Sequence, residues 1–367
     1  MISLSFSVSI WGIPPQSPLC LHFAPLTTPF TPAKAPTLQD VARAAGVSQI
    51  TASRALGNPG IVSDTTRARV QQAVIDTGYI PNLLAGGLKS KRSRMVAGIL
   101  PALAVAQFLP TVQSLTAALA QEGYQLLLGE TFYDPQREEE VLTAMVSRQP
   151  DGIVVMGLVE SEQARNRLRK AGIPLVETWD ISDDPLDMVI GFSHPQVGSA
   201  LAQYFQRTGL QHVGIATGSD PRALQRRDGF VATWGRAVPT AVVPAPSNLE
   251  RGRKALGELL AQDPQLQAVV CSSDMLAHGI LVEARARGLR VPQDLAVSGF
   301  GNADFSAHML PSITTVHVDG PRIGQLAAQR IMDRCRGVPP QKSVLDLGFT
   351  LIERESTAAV PVPLNTP

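Results

Sequence analysis

Leu38 to Leu56 reads LQDVARAAGVSQITASRAL. Leu38, Val41, Ala42 and Ala45 stand at i, i+3, i+4 and i+7, one face of a helix. Gly46 ends that helix, and Ser48 is a good N-cap for the next. In the second helix, Ala52, Ala55 and Leu56 are spaced to pack on the first. Gln49, Ile50, Ser53 and Arg54 fall on the opposite face. Those side chains suit a DNA major groove: glutamine pairs with adenine, arginine with guanine through two hydrogen bonds, and isoleucine touches a thymine methyl. The free N–H groups at Ser48 suit a phosphate. The layout is that of a helix-turn-helix, although a plain helical hairpin with a solvated polar face would share the pattern. Asn58-Pro59-Gly60 then marks a turn. Ser63 caps a third helix, whose Val70, Ala73, Val74 and Thr77 share a face, and Gly78 stops it.

Charge separates this head from the rest of the chain. Residues 37–94 carry eight basic groups against three acidic ones, whereas residues 95–367 carry 23 against 28. A small basic head on an acidic body suggests that the head meets a polyanion. Lys89, Lys91, Arg92 and Arg94 are expected as phosphate contacts, or else as a solvated charge run. The 367 residues suffice for two or three domains, and 44% hydrophobic with 17% charged residues excludes a mainly disordered or collagen-like chain. No apolar run of about 20 residues predicts a membrane span. Three scattered cysteines suggest neither a disulfide framework nor a zinc cluster, which fits a reducing, cytoplasmic setting. Residues 1–36 hold one charged residue, Lys34, and recurrent prolines. We read them as a disordered extension or a mis-assigned start, since Pro14 and Pro15 interrupt the apolar run that an export signal needs.

From Met95 the rhythm becomes strand, helix, strand. Apolar runs at 95–100, 124–129, 153–156, 188–191, 212–216, 268–271 and 295–298 read as parallel strands buried on both faces. The fold class is therefore α/β: a three-helix helix-turn-helix head, then a doubly wound body long enough for two lobes. Such sheets bind ligands beyond the carboxyl ends of their strands, here between the lobes. No phosphate loop, HExxH, GxSxG or GxGxxG marks an enzyme, and the six histidines show no metal spacing. Neither a cofactor nor a metal is expected.

The pieces TLQDVARAAGVS, TASRAL, VSDTTRARV, GYIPN and Asn82-x-x-Ala85-x-x-Leu88 resemble the head of the lac repressor (LacI) family of transcription regulators. The resemblance continues through DGIVVMG, AGIPLVETWD, GFSHPQVGSALAQYF, RRDGF, CSSDMLAHGIL and VPQDLAVSGFGNADFSAHMLPSITTV to about residue 354. It implies a head at 37–81, a hinge helix and linker at 82–94, a two-lobed periplasmic-binding-protein-like domain at 95–354 and a tail at 355–367. Gln49 and Ile50 then stand where family members read bases, Arg54 matches a recognition-helix arginine, Tyr79 and Asn82 open the hinge, and Leu88 matches the leucine that wedges into the minor groove. The residues agree: Asn82 can cap a short helix, Ala85 and Leu88 share a face, and an apolar wedge bends DNA. Gly86 and Gly87 each cost about 1 kcal/mol of helix propensity, so this hinge should fold only on DNA.

For the body, the resemblance implies that Arg226 grips effector hydroxyls or a carboxylate, with Arg227 as rival. Asp180 and Phe192 would line the cleft by that resemblance, and Phe108, just after the first strand, is expected as another wall. Ser273 and Asp274 stand for the family's Asn-Asp pair. Gly301 replaces a frequent ligand-binding aspartate, leaving Asn302 as a neutral partner. The stretches LLAGGLKS, YQLLLGE, VETWD, GFSH and GFGNADFSAH look most like the gluconate-utilisation repressors, which implies gluconate or 2-ketogluconate as effector. The expected partners are double-stranded operator DNA, a sugar acid and a second copy of the chain, with no membrane. Two rivals remain open: a solute-binding transport component would need export and no head, and an enzyme with a DNA-binding head would need a catalytic constellation. Within the repressor reading, the ligand could instead be another sugar or a corepressor.

Overall fold

The structure is a computed structural model that describes residues 35–57, 59–80, 92–103 and 105–358. The expectations for residues 1–34, for the hinge residues Asn82, Ala85, Leu88, Lys89 and Lys91, and for the last nine residues lie outside these. The chain divides into two compact units, Met1–Gly86 and Gly87–Pro367.

In the first unit, helices run over Leu38–Ala45, Gln49–Gly57 and Asp64–Thr77. Thr37 and Asp40 form a reciprocal cap on the first helix, and Gly46 closes it with φ 62°. A left-handed conformation costs a residue with a Cβ about 1–2 kcal/mol, which is why glycine stands there. Ser48 Oγ accepts the Thr51 N–H at 3.2 Å. Ser63 caps the third helix, and Gly78 ends it at φ 66°. The core is made of small residues: Val41, Ala42, Ala45, Ala52, Ala55, Val70 and Ala73, flanked by Leu38, Leu56 and Tyr79.

The second unit holds two parallel sheets. In the amino lobe, described residues form β1 (Met95–Leu100), β2 (Gln125–Glu130), β3 (Gly152–Met156), β4 (Leu175–Thr178), β5 (Met188–Gly191) and β11 (Val344–Asp346). Their order is β11-β5-β4-β3-β1-β2. The carboxy lobe has β6 (Val213–Gly218), β7 (Thr240–Val243), β8 (Ala268–Cys271) and β9 (Ala296–Ser298) in the order β7-β6-β8-β9. A small antiparallel pair joins β10 (Thr315–His317) to β12 (Thr350–Ile352). The chain passes between lobes after β5, after β10 and after β11, so three strands of backbone link them.

Close helix packing positions the cleft side chains. Helix His194–Arg207 crosses helix Pro221–Trp234 at glycines: a Cβ on Gly198 would meet the Arg226 backbone, and one on Gly229 would meet that of Pro195. Gly324 likewise lets helix Gly320–Cys335 approach helix Leu109–Gln121 at Thr111. At the entrance to β1, Asp151 accepts the N–H of Ser93 at 3.0 Å and of Arg94 at 2.9 Å. Arg92 donates to the Cys335 carbonyl at 2.6 Å, so its guanidinium is already engaged by protein.

Candidate functional sites

The head presents one polar face. Gln49, Ile50, Ser53 and Arg54 are all exposed, and Ile50 keeps 65% of its surface in water. No ion pair among the described residues engages Arg54. Ser48 is occupied as a cap, with its Oγ also 2.9 Å from Thr51 Oγ1. Tyr79 turns inward and packs on the head's core.

In the body, a cleft opens between the lobes. Val105, Gln107, Tyr133 and Trp179 line it from the amino lobe, and Asp220, Arg222, Arg226, Ser272 and Phe300 from the carboxy lobe. Its centre is a hydrogen-bonded relay. His194 Nε2 lies 2.9 Å from the Trp179 carbonyl, which can only accept. Nε2 is therefore the protonated nitrogen, and Nδ1 is free to accept from Arg226 Nη1 at 2.9 Å. Burial, then the charges of Arg226 and Arg222, hold His194 well below its usual range, so it stays neutral. Arg226 Nη2 donates to the Ser272 carbonyl at 3.0 Å, and its guanidinium lies 4.0 Å above the Phe300 ring. Its Nε–H has no hydrogen-bond partner among the described residues. Burial lowers the Arg226 pKa to about 10, which still leaves it charged at neutral pH.

Trp179 is fixed from the other side. Its Nε1–H donates to Thr111 Oγ1 at 3.0 Å, and that hydroxyl donates to the Gly320 carbonyl at 3.0 Å. The relay Gly320–Thr111–Trp179–His194–Arg226–Ser272 thus spans both lobes.

The structure brings Arg226, Ser273 and Asp274 to this cleft. Arg227 pairs with Asp228 at 2.6 Å instead. Asp274 spends its oxygens on its own lobe: Oδ1 accepts from Thr315 Oγ1 at 2.6 Å, and Oδ2 from Ala303 N and Ser306 Oγ at 2.7 Å. Ser273 Oγ caps the helix Asp274–Ala286. Phe108 and Phe192 lie one layer beneath the surface, edge-on to Trp179 at 5.1 and 6.1 Å. Asp180 lines an adjoining chamber. Asn302 is turned away, accepting from Arg354 at 2.7 Å and meeting His317 at 3.2 Å. At Gly301, φ is 116°, and a Cβ would stand 2.9 Å from Gln107 Oε1. An aspartate there would need both a different backbone and a displaced Gln107. Sequence reasoning passes over Tyr133, Trp179, His194, Asp220 and Arg222. Trp179 and His194 lie inside the stretches VETWD and GFSH, but nothing in the sequence pairs a histidine with an arginine 32 positions on.

Residues 37–82 match bacterial regulatory proteins of the lacI family, and residues 202–357 match a periplasmic binding protein-like domain. The HTH-type transcriptional regulator GntR of Pseudomonas aeruginosa is 34% identical over 332 residues, 88% of this chain and 96% of that protein. GntR of Escherichia coli K12 is 32% identical over 322 residues, 87% and 97% of the two chains. A lacI family regulator from Silicibacter pomeroyi superposes with a TM-score of 0.83 at 33% identity, covering 88% of this chain and 99% of its own. These relatives are regulators of transcription, not enzymes. With its three-helix head, its two-lobed body and this similarity along most of its length, the chain is a DNA-binding transcriptional repressor that belongs to the lacI family of bacterial regulatory proteins.

Proposed function

We propose that the effector is a sugar acid, gluconate or 2-ketogluconate, and that a homodimer in the cytoplasm releases a near-palindromic operator when it binds. Buried Arg226 carries this reading. A planar guanidinium with an unmet N–H, flanked by Arg222 and stacked on Phe300, is suited to a carboxylate. The relatives named GntR and the resemblance to the gluconate-utilisation repressors support the same ligand class. Trp179 and Phe300 supply the apolar walls that a sugar chain needs.

In this reading Gln49, Ile50, Ser53 and Arg54 read bases, Ser48 places a phosphate on the helix N-terminus, and Tyr79, Asn82, Ala85 and Leu88 serve the hinge. A two-fold dimer matches a two-fold site. The ligand draws the lobes together across the Trp179–His194–Arg226 relay, and closure lowers operator affinity by the coupling between the sites. The test is gel retardation with DNA from upstream of the chain's own gene, with gluconate, 2-ketogluconate or glucose added. Release by one of the acids but not by glucose supports the proposal. Retention with all three, or tightening by an acid, overturns it.

A further inference from the structure

The cleft has two chambers: the first carries Arg222 and Arg226 beside Asp220 and Asp274, and the second is richer in carboxyl groups. The first holds Arg226, with the His194–Arg226 contact at its floor. The second joins it through Tyr133, Asp220 and Arg222, which belong to both. Beyond that junction, Glu138, Glu160 and Asp180 line the wall at the carboxyl ends of the amino-lobe strands, with Asp134, whose carboxylate caps the helix Pro135–Val146. Asp180 is buried, at 5% exposure; its Oδ1 accepts the Ile181 N–H at 2.8 Å, and its Oδ2 has no hydrogen-bond partner among the described residues. Burial, then the charges of Glu160 and Glu139, push the Glu138 pKa up to about 7. Arg222 is the cation at the junction; its Nη1 donates to the Met156 carbonyl at 3.2 Å, and it lies 5.2 Å over the Phe108 ring.

A carboxylate accepts hydrogen bonds, and Glu138, with its pKa pushed up to about 7, also donates when protonated, so this wall suits the hydroxyl groups of a polyol chain. A second anion brought there would meet like charges in a partly desolvated pocket, an arrangement that discriminates by repulsion. We propose that this regulator selects polyhydroxy acids with one anionic end: the carboxylate lies against Arg226 and Arg222, the hydroxylated tail against Asp180, Glu138 and Glu160, and a ligand charged at both ends is rejected. The inference rests on the sugar-acid reading and adds the direction in which the ligand lies.

The test is calorimetric titration of the full chain with D-gluconate and with D-glucarate, the same carbon chain with a carboxylate at each end. Glucarate is expected to bind about tenfold or more weakly. At pH 8, where Glu138 and Glu160 are both ionised in the unmodified chain, the double variant Glu138→Gln, Glu160→Gln should shrink the gap to about threefold or less, since two of the repelling charges are removed. Operator binding by that variant reports its folding. If it fails to fold, the Glu160→Gln single variant, altered at an exposed position, should narrow the gap in the same direction. Equal binding of the two acids by the unmodified chain, or a gap unchanged in the variants, overturns the polarity and leaves the sugar-acid reading standing. No binding of either acid overturns both.

Discussion

At the residue scale, His194 decides how Arg226 is held. Its ring must stay neutral, because a protonated Nδ1 would point a proton at a guanidinium. A histidine whose folded pKa lies below the unfolded value of 6.5 leaves the unfolded chain binding more protons below that pH. Its contribution to stability is whole above about pH 6.5 and falls as the pH drops towards the folded pKa. Glu138, at about 7, and Asp180, at about 6, act with the opposite sign: their raised values favour the folded state at low pH, and this is lost as the pH rises through them. The total profile mixes these effects, so a comparison isolates the histidine. Thermal melts from pH 5 to 8 should show that His194→Gln loses less stability on acidification than the unmodified chain, because both share the carboxylates. Equal slopes would contradict the neutral relay.

At the element scale, two helices are set by glycine. Gly198 and Gly229 let helix His194–Arg207 and helix Pro221–Trp234 touch backbone to backbone, which puts His194 and Arg226 in reach of each other. Gly198→Ala should destabilise the unit by about 1–3 kcal/mol through overpacking and weaken gluconate binding as well. Chemical denaturation and calorimetry of the same variant check both. The recognition helix makes a separate prediction. Arg54→Ala should weaken specific DNA binding by about 1–3 kcal/mol while sparing most binding to random DNA. Equal losses on both would remove Arg54 from base reading.

Much at this scale is legible in the sequence. Gly46, Ser48, Ser63 and Gly78 mark the helix ends where local rules place them, and the apolar runs mark most strands of the two sheets. β4 and β7 are among those the apolar runs miss. β4 carries a buried charge, Glu177, that breaks its apolar run, and the fold holds that charge with the N–H groups of Val159 and Leu186. β7 is an edge strand with alternating burial, so it shows no continuous apolar signal. The cleft is less legible. Arg226 stands out by family position, but its partners His194 and Trp179 come from other elements, and their meeting depends on lobe packing that no spacing encodes. Phe108 reads as a wall from its place after the first strand and Phe192 by family position; only packing places Trp179 and Phe300 in front of them.

For the whole molecule, a basic DNA-binding head is joined to an acidic body, and the proposed function gives that body a small anion to sense. Head binding should weaken steeply with salt, as phosphate contacts release counterions. In the proposed mechanism, occupancy at Arg226 controls operator affinity. Fluorescence anisotropy of the full chain on DNA from upstream of its own gene, titrated with gluconate, tests it most directly when Arg226→Ala is measured alongside. Gluconate is expected to release the unmodified chain, while the variant binds the same DNA equally well and does not respond. Release of the variant at the same gluconate concentration would contradict that claim.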